Sequence, residues 1–259
     1  MRTALVRRSV LAASAVSLSL LATACGSDSD TKADAKPEGK PAASASAPAA
    51  GAKAKSAAEL TALLVAQADL PEFTVEEDKA AKAGQAQKYE GDKADCKPVI
   101  QLQSYKALGT PVGTAGIAAL EKPKKPADNA TVEEKLDAIK GGLSITRTSV
   151  ILSSYDGKGA EEAFAALKTA TTACAAGYTV TVDGEPTKVE KVAPSAPVTA
   201  GDEALAFNTV LDLKDGDKNT MQFVVVRKGN TLASFFSVSV AGTATQPKPV
   251  VEAQAKKIG

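Results

Sequence analysis

Histidine is absent from this chain of 259 residues, and so is tryptophan. Without histidine, the Ser-His and Cys-His catalytic pairs and every histidine general base are excluded. A Cys/His zinc site is excluded as well, because neither Cys96 nor Cys174 has a companion cysteine within four positions. The chain also lacks the G-x-S-x-G, Walker and G-x-G-x-x-G motifs. These absences predict a protein that is not an enzyme and that has no catalytic residue and no cofactor.

The charged residues point to no particular partner. Residues 25–259 carry 28 Lys and Arg against 30 Asp and Glu, a net charge near −2, so nucleic acid is not predicted as a partner. Asp212, Asp215 and Asp217 bracket a turn but miss the EF-hand spacing, and no metal site is predicted. The enzymatic alternative is a hydrolase that uses carboxylates alone, without any paired acidic motif to support it.

The N-terminal segment predicts export. Three arginines precede 15 uncharged residues that end at Ala24, a pattern typical of a secretory signal peptide over residues 1–24. The small residues before Cys25 resemble a lipobox, in which the cysteine is diacylated and becomes the first mature residue. We therefore predict lipidation of Cys25, with the lipid bilayer as a partner and the outer face of the cell membrane as the location. Cleavage after Ala24 by an ordinary signal peptidase is the alternative, because Ala-x-Ala also fits that enzyme.

The segment after Cys25 has the composition of a disordered tether. Residues 26–55 contain only Ala, Ser, Thr, Pro, Gly, Lys, Asp and Glu, so the segment has too little apolar surface to bury a core. As a flexible coil it would span an r.m.s. distance of about 30 Å. The predicted organisation is a signal peptide at 1–24, a lipidated cysteine and tether at 25–55, and a single domain at 56–259.

Two cysteines remain once Cys25 is acylated. An even pair in an exported protein favours a disulfide between Cys96 and Cys174. The alternative is two buried free thiols. Cys174 lies on the apolar stripe of a predicted helix that begins near Ala160, so its side chain is expected to face the core.

The domain at 56–259 is predicted to be α+β. Capping-box pairs at Ser56 and Thr131 each open a helix, and the first helix is expected to continue to Ala68. The polar stretch from Glu76 to Asp95 is predicted to be a loop. The last third of the chain alternates apolar and polar residues between glycine-containing turns, which predicts a C-terminal antiparallel meander. We expect an antiparallel sheet of about five to seven strands packed with three to four helices.

Two strands are singled out by their patterns. Leu143 to Tyr155 is rich in β-branched residues and predicts a strand that carries Arg147. Met221 to Val226 is apolar on both faces and predicts a central strand of the sheet.

Arg147 and Tyr155 are the candidate ligand-binding residues. Arg147 and Arg227 are the only arginines after residue 24, beside 26 lysines. Arg147 shares a predicted strand face with apolar residues, where a guanidinium can bind a carboxylate or phosphate at a cleft. The alternative is an edge position from which the guanidinium reaches water. Tyr155 lies on the same face, although a buried tyrosine is more often a core residue with a satisfied hydroxyl.

The order of these features resembles a known module. The features are Asp69-Leu70-Pro71 at the end of the first helix, Cys96 at the start of the second, Tyr155, the helix with Phe164, Leu167 and Cys174, Gly201-Asp202-Glu203, and the turn Val224–Asn230. They are similar to the extracellular sensor domain of PknH-type actinobacterial receptor kinases, which also occurs in stand-alone lipoproteins. The resemblance covers residues 56–258. It implies an α+β domain with an antiparallel sheet and a cleft for an unidentified ligand. The chain differs in having no kinase and no spanning helix, and it can form one disulfide where that domain has two.

The sequence therefore favours a non-catalytic, lipid-anchored, extracytoplasmic binding or sensor domain with an unknown small-molecule or cell-wall ligand. The alternative is a lipid or glycolipid carrier, which requires a large apolar cavity between the sheet and the helices.

Lipidation gives a first testable prediction. Mass spectrometry of the mature N-terminus should find Cys25 as the first residue and should find it carrying acyl chains. A Cys25→Ser change should abolish both the acyl mass and membrane retention. A wild-type chain that begins at Cys25 without acyl mass would instead assign the ordinary signal peptidase.

Overall fold

The computed structural model describes residues 53–259, except for 124, 214 and 215 and the side chains of 140 and 143. The predicted signal peptide, Cys25, most of the predicted tether and Asp215 lie outside the described residues. Within the described part of the chain, no helix is both long enough and apolar enough to cross a membrane.

The described residues form six α-helices and nine strands. The helices are α1 (Ala57–Ala62), α2 (Lys79–Ala86), α3 (Lys97–Gln103), α4 (Val132–Leu143), α5 (Gly159–Ala173) and α6 (Lys248–Ile258). The strands are β1 (Phe73–Glu76), β2 (Tyr89–Gly91), β3 (Gly113–Glu121), β4 (Thr146–Ser154), β5 (Tyr178–Val182), β6 (Glu185–Pro194), β7 (Glu203–Asp212), β8 (Lys218–Lys228) and β9 (Thr231–Ser239).

All of these strands belong to one antiparallel sheet, in the order β1-β3-β4-β9-β8-β7-β6-β5-β2. The five strands from β5 to β9 are neighbours both in the chain and in the sheet. The predicted α+β class and C-terminal meander are confirmed. β8 occupies the central position, as the apolar pattern on both of its faces predicts.

The sheet is covered by helices on both faces. In β8, Phe223 and Val225 face one core, and Val224 and Val226 face the other; all four are 0% exposed. Successive side chains of a strand point to opposite faces, so a strand with this pattern must be covered on both. Helices α3 and α5 pack on the first face, and α1 and α6 pack on the second. The sheet is therefore the middle of three layers.

A row of aromatic rings crosses the first face. Phe207, Phe223 and Phe236 stack with centroid separations of 4.8 and 4.9 Å, and Tyr105 meets Phe236 edge-on at 4.8 Å. Such pairs stabilise by about 0.5–1.5 kcal/mol beyond their area burial. The row continues on β4 at Ser149, which lies opposite Phe236.

The strand and helix counts exceed the prediction, and the loop prediction for Glu76–Asp95 was wrong. This segment contains α2 and the edge strand β2, which pairs with β5. Helix α2 consists of Ala, Gly, Lys and Gln, and it buries only Ala81 and Gly84. Small residues give no apolar periodicity, so the pattern on which helix prediction depends is missing.

Two predicted boundaries also move. Helix α1 ends at Ala62 instead of Ala68. The buried side chain of Gln254, on α6, donates to Leu63 O at 2.7 Å and accepts from the Val65 N–H at 3.1 Å. These backbone groups therefore bond to α6 in place of helical partners. Strand β4 begins at Thr146, since α4 continues to Leu143. The capping boxes at the starts of α1 and α4 are confirmed.

The described chain contacts the domain before the predicted boundary at 56. The Ala54 N–H donates to Asp156 Oδ1 at 3.1 Å, and the Lys55 N–H donates to Ser154 Oγ at 2.9 Å. Residues 53–55 are thus held at the end of β4, although their composition matches the tether.

A disulfide joins Cys96, at the start of α3, to Cys174, at the end of α5. The two Cα atoms are 5.7 Å apart and 78 residues apart in sequence, and both residues are 0% exposed. The bond ties together the two helices that cover the first face of the sheet.

The loop that this disulfide closes gives the second prediction. In the simple chain-entropy model, the Cys96→Ala/Cys174→Ala protein should lose about 4.5 kcal/mol of unfolding free energy, measured by denaturant titration. The double variant should be insensitive to reductant, whereas the wild-type protein should be destabilised by it. An unchanged wild-type midpoint on full reduction would contradict the prediction.

Candidate functional site

A buried ion pair joins β4 to the start of α2. Asp78 caps α2, and its Oδ1 accepts a hydrogen bond from the Ala81 N–H at 2.7 Å. Arg147 donates through Nη2 to the same Oδ1 and through Nη1 to Ser149 Oγ at 3.0 Å. The Asp78 side chain is 5% exposed and that of Arg147 is 20% exposed. Arg147 therefore binds a carboxylate, as its chemistry predicts, but this carboxylate comes from within the chain.

The second carboxylate oxygen of Asp78 has no partner. Oδ2 is buried, and no hydrogen bond from the described residues reaches it. Leaving a buried acceptor unpaired costs about 1–3 kcal/mol. Both hydrogen bonds to this carboxylate fall on Oδ1.

Asp78 lines an open cleft of about 520 Å³ between α2 and the sheet. The other lining residues are Glu77, Ala81, Lys82, Gln85, Lys106, Ala107, Thr114, Ala115, Gly116 and Ile151. This volume lies within the range of small-molecule sites, about 300–1,000 Å³. Glu77 and Lys82 form an exposed ion pair at its rim, and the Lys106 ammonium lies 5.9 Å from the centre of the Tyr89 ring.

Helix α2 sits on Tyr105. A Cβ atom at Gly84 would overlap the Tyr105 ring, so glycine sets the distance between the helix and the ring. The Gln85 side chain donates to Tyr105 O at 2.6 Å. Tyr105 adopts a φ of 54°, which is uncommon for a residue with a side chain. Burial raises the pKa of its hydroxyl to about 12.

Tyr155 lies in a different place from Arg147. Its hydroxyl donates to Leu108 O at 2.6 Å, and burial raises the pKa of this hydroxyl to about 12. The ring lines a second open cleft of about 580 Å³, beside α5. The two candidate residues predicted from the sequence are therefore on one strand face but are not brought together.

Arg227 belongs to a structural turn. It donates through Nε to Glu203 at 2.6 Å and through Nη1 to Asp202 and to Gly229 O, each at 3.2 Å. Asp202 also accepts from the Gly229 N–H at 2.7 Å. These bonds tie the start of β7 to the β8–β9 turn.

Sequence reasoning missed Asp78. Aspartate is a common N-cap residue, but the helix that Asp78 caps has no apolar stripe, so the sequence does not predict that helix. Its partner Arg147 is 69 positions away, and no local pattern connects the two residues.

Among the described residues, no group of three or more Asp, Glu or Cys side chains is arranged to hold a metal ion. Asp215 of the acidic turn is not part of that set.

Comparison with solved structures finds two chains to which this chain is similar. The extracellular domain of PknH from Mycobacterium tuberculosis aligns over 80% of this chain and 95% of its own length, with 15% identity and a TM-score of 0.41. An uncharacterised protein from Mycobacterium smegmatis aligns over 73% of this chain and 88% of its own, with 10% identity and a TM-score of 0.30. No protein-family model and no curated protein matches the chain. The function is therefore argued from the residues of this chain.

The buried ion pair gives the third prediction. Arg147→Met should lower the unfolding free energy by roughly 2–4 kcal/mol, because it leaves the Asp78 carboxylate buried without its cation. Denaturant unfolding measures the loss. Adding Asp78→Asn to this variant should restore part of it, since the uncompensated charge is then removed.

The matched control is Lys82→Met, which breaks the exposed pair with Glu77 on the same helix. It should change stability by no more than about 0.5 kcal/mol. Equal effects of Arg147→Met and Lys82→Met would show that the buried pair has no special role.

Proposed function

We propose that this chain is a non-catalytic, lipid-anchored binding domain of the sensor type, which holds a ligand outside the cell membrane in the cleft beside Asp78 and Arg147. The observation that carries the proposal is that Asp78, whose buried Oδ2 atom has no hydrogen-bond donor among the described residues, lines an open cleft of about 520 Å³. A buried acceptor without a donor destabilises the free protein, and a bound ligand that supplies the donor removes this cost.

The chemistry of the cleft supports binding over catalysis. Its two acids, Glu77 and Asp78, each pair with a cation, Lys82 and Arg147 respectively. General acid–base catalysis needs a positioned group that exchanges a proton with a substrate. Thr114 supplies a hydroxyl to the lining, and among the described residues no base is hydrogen-bonded to it. The cleft is therefore suited to recognising polar groups rather than to activating a nucleophile.

The location in this proposal rests on the sequence. Acylation of Cys25 would place the domain at the outer face of the membrane, on a tether of about 30 Å r.m.s. span. The hydrogen bonds of Ala54 and Lys55 at the end of β4 support a tether that reaches the domain at residue 53.

The packing of the core does not support the lipid-carrier alternative. It requires an apolar cavity between the sheet and the helices, where Leu167, Phe207, Phe223 and Leu232 are 0–1% exposed and belong to one contiguous core. The two clefts described above open to solvent and carry charged residues at their walls. These two clefts therefore do not favour a carrier.

The fourth prediction is tested by a thermal-shift screen against cell-wall fragments, lipids and small anions. At least one class should raise Tm by about 5 °C or more at saturating ligand, because ligand binding stabilises the native state by mass action. Asp78→Asn should abolish the shift, since it removes the carboxylate that the ligand completes.

The control is Glu133→Gln, which removes an exposed carboxylate on α4, outside the cleft. It should leave the shift intact. No response to any class, or a shift that Asp78→Asn does not change, would reject the proposed site.

A further inference from the structure

Helix α4 turns its apolar side away from the domain. Val132, Leu136 and Ile139 recur at i, i+4 and i+7, so they share one face of the helix. These three side chains are between 50% and 78% exposed. A helix on the surface of a globular domain usually buries such a stripe against the core, so the usual arrangement is reversed here.

The opposite face of α4 borders an open cleft of about 670 Å³. Asp137, Ala138 and Gly141 line this cleft together with Glu121 and Lys122, at the end of β3. The polar and small side of the helix therefore faces the domain. The apolar stripe is left without a cover among the described residues.

Two more exposed apolar side chains lie at the same end of the sheet. Helix α4 precedes the start of β4, Val240 follows the end of β9, and Leu213 follows the end of β7. The register brings these strand ends together, since Thr146 of β4 pairs with Ser239 of β9 and the start of β8 lies between β9 and β7. Five of the six exposed large hydrophobic residues of the described chain are thus found here. We call them the apolar end: Val132, Leu136, Ile139, Leu213 and Val240.

The chain that precedes the domain is long enough to bring the apolar end to a membrane. Residues 53–55 are held at the end of β4, whereas the apolar end lies at its start. The nine residues of β4 separate the two by about 30 Å. As a flexible coil, residues 25–52 would span an r.m.s. distance of about 30 Å, and fully extended they would span at most about 95 Å. A bilayer that holds an acylated Cys25 is therefore within reach.

The size of the stripe favours a membrane over a protein partner. Helix α4 has 12 residues, so it is about 18 Å long, and a stripe about 10 Å wide covers roughly 200 Å² of it. A stable protein interface buries about 800 Å² on each side. A surface that an anchor already holds near the bilayer needs only a weak further contact, because the second binding event is then intramolecular.

The charges of α4 indicate which lipid is needed. Glu133, Glu134 and Asp137 stand against Lys135 and Lys140 in the sequence of the helix. Attraction to anionic lipid requires a cluster of basic residues, and α4 has no excess of them. Its contact with a bilayer therefore depends on the apolar stripe and needs no anionic lipid.

We propose that the apolar end is a membrane-docking surface, through which α4 lies in the headgroup boundary of the phospholipid bilayer that holds the anchor. This inference rests on the lipid anchor of the proposed function and adds a second contact that orients the domain. The start of β4 then faces the bilayer, and residue 53 lies at the far end of the sheet.

The absence of tryptophan from the chain allows a direct test. Ile139→Trp places a single fluorophore on the stripe. The matched control is Val112→Trp, at an exposed residue beside the end of β4, on the opposite side of the domain. The mature chain is anchored in phosphatidylcholine vesicles with brominated acyl chains through its own acyl groups. Where Cys25 carries none, its thiol is coupled to a maleimide lipid, since Cys96 and Cys174 are joined.

Bromine should lower the emission of Ile139→Trp by about half relative to unbrominated vesicles, because an interfacial helix buries its apolar face about 5–10 Å into the boundary with the acyl chains. The emission of Val112→Trp should not change. Equal quenching at both positions, or none for Ile139→Trp, would reject the docking surface.

Hydrogen exchange tests the native stripe. The amides of α4 should exchange more slowly in the vesicle-anchored chain than in the Cys25→Ser chain without vesicles, because docking suppresses local opening of the helix. Leu136→Ser/Ile139→Ser should remove this protection without lowering Tm, since both side chains are exposed. Val112→Ser should leave the protection intact.

The outcomes separate this inference from the others. Protection of α4 that appears without vesicles and rises with protein concentration would assign the stripe to a second copy of the chain and would reject docking. If docking fails while a ligand still gives an Asp78-dependent thermal shift, the ligand cleft of the proposed function stands. If Cys25 carries no acyl mass but the coupled chain docks, the docking surface is supported and the natural anchor is rejected.

Discussion

The early end of β1 is the constraint from which the rest of the site follows. The chain leaves the sheet after Glu76, opposite Ala118, although β3 continues to Gly113. A sheet edge with unpaired backbone groups is usually shortened, charged or covered, because it otherwise pairs with other chains. Here the chain turns at Asp78 into α2, which lies beside the open edge and leaves a gap of about 520 Å³ between them. The gap exists because the helix is held away from the edge rather than packed against it.

The position of α2 is set by polar contacts and by the close packing of Gly84 on the Tyr105 ring. Arg147 holds the Asp78 cap, and Gly84 allows the helix to rest on the Tyr105 ring. Tyr105 in turn packs against Phe236, in the aromatic row that crosses the meander. A binding site needs supporting residues that are themselves locked by packing. Tyr105, on which α2 rests, is therefore packed against the core, whereas the position of α2 itself depends on a few contacts.

Sequence patterns predicted the elements that bury large side chains. The two-sided apolar pattern of Met221–Val226 placed β8 at the centre of the sheet, and the Ser56 and Thr131 capping boxes located two helix starts. The same reasoning failed for α2 and β2, because residues 79–86 contain only small and polar side chains and β2 has three residues. It identified Arg147 as a cation on an apolar face but not its partner, since the contact with Asp78 depends on tertiary structure across 69 positions. Apolar patterns that indicate burial can be read within one segment of the sequence, whereas the Asp78–Arg147 contact forms only when distant segments come together in the fold.

The two arginines of the described residues, Arg147 and Arg227, form different kinds of ion pair. Arg227 donates to Glu203, Asp202 and a backbone carbonyl, and Asp202 accepts a further N–H, so both carboxylates are engaged within the turn. At Asp78, by contrast, the cation and the cap share one oxygen and the other is left without a donor. Packing alone would favour the fully paired arrangement, since an unpaired buried acceptor lowers stability. Departures of this kind are expected where a protein gives up stability for function, and this one lies in the cleft that the short β1 strand opens.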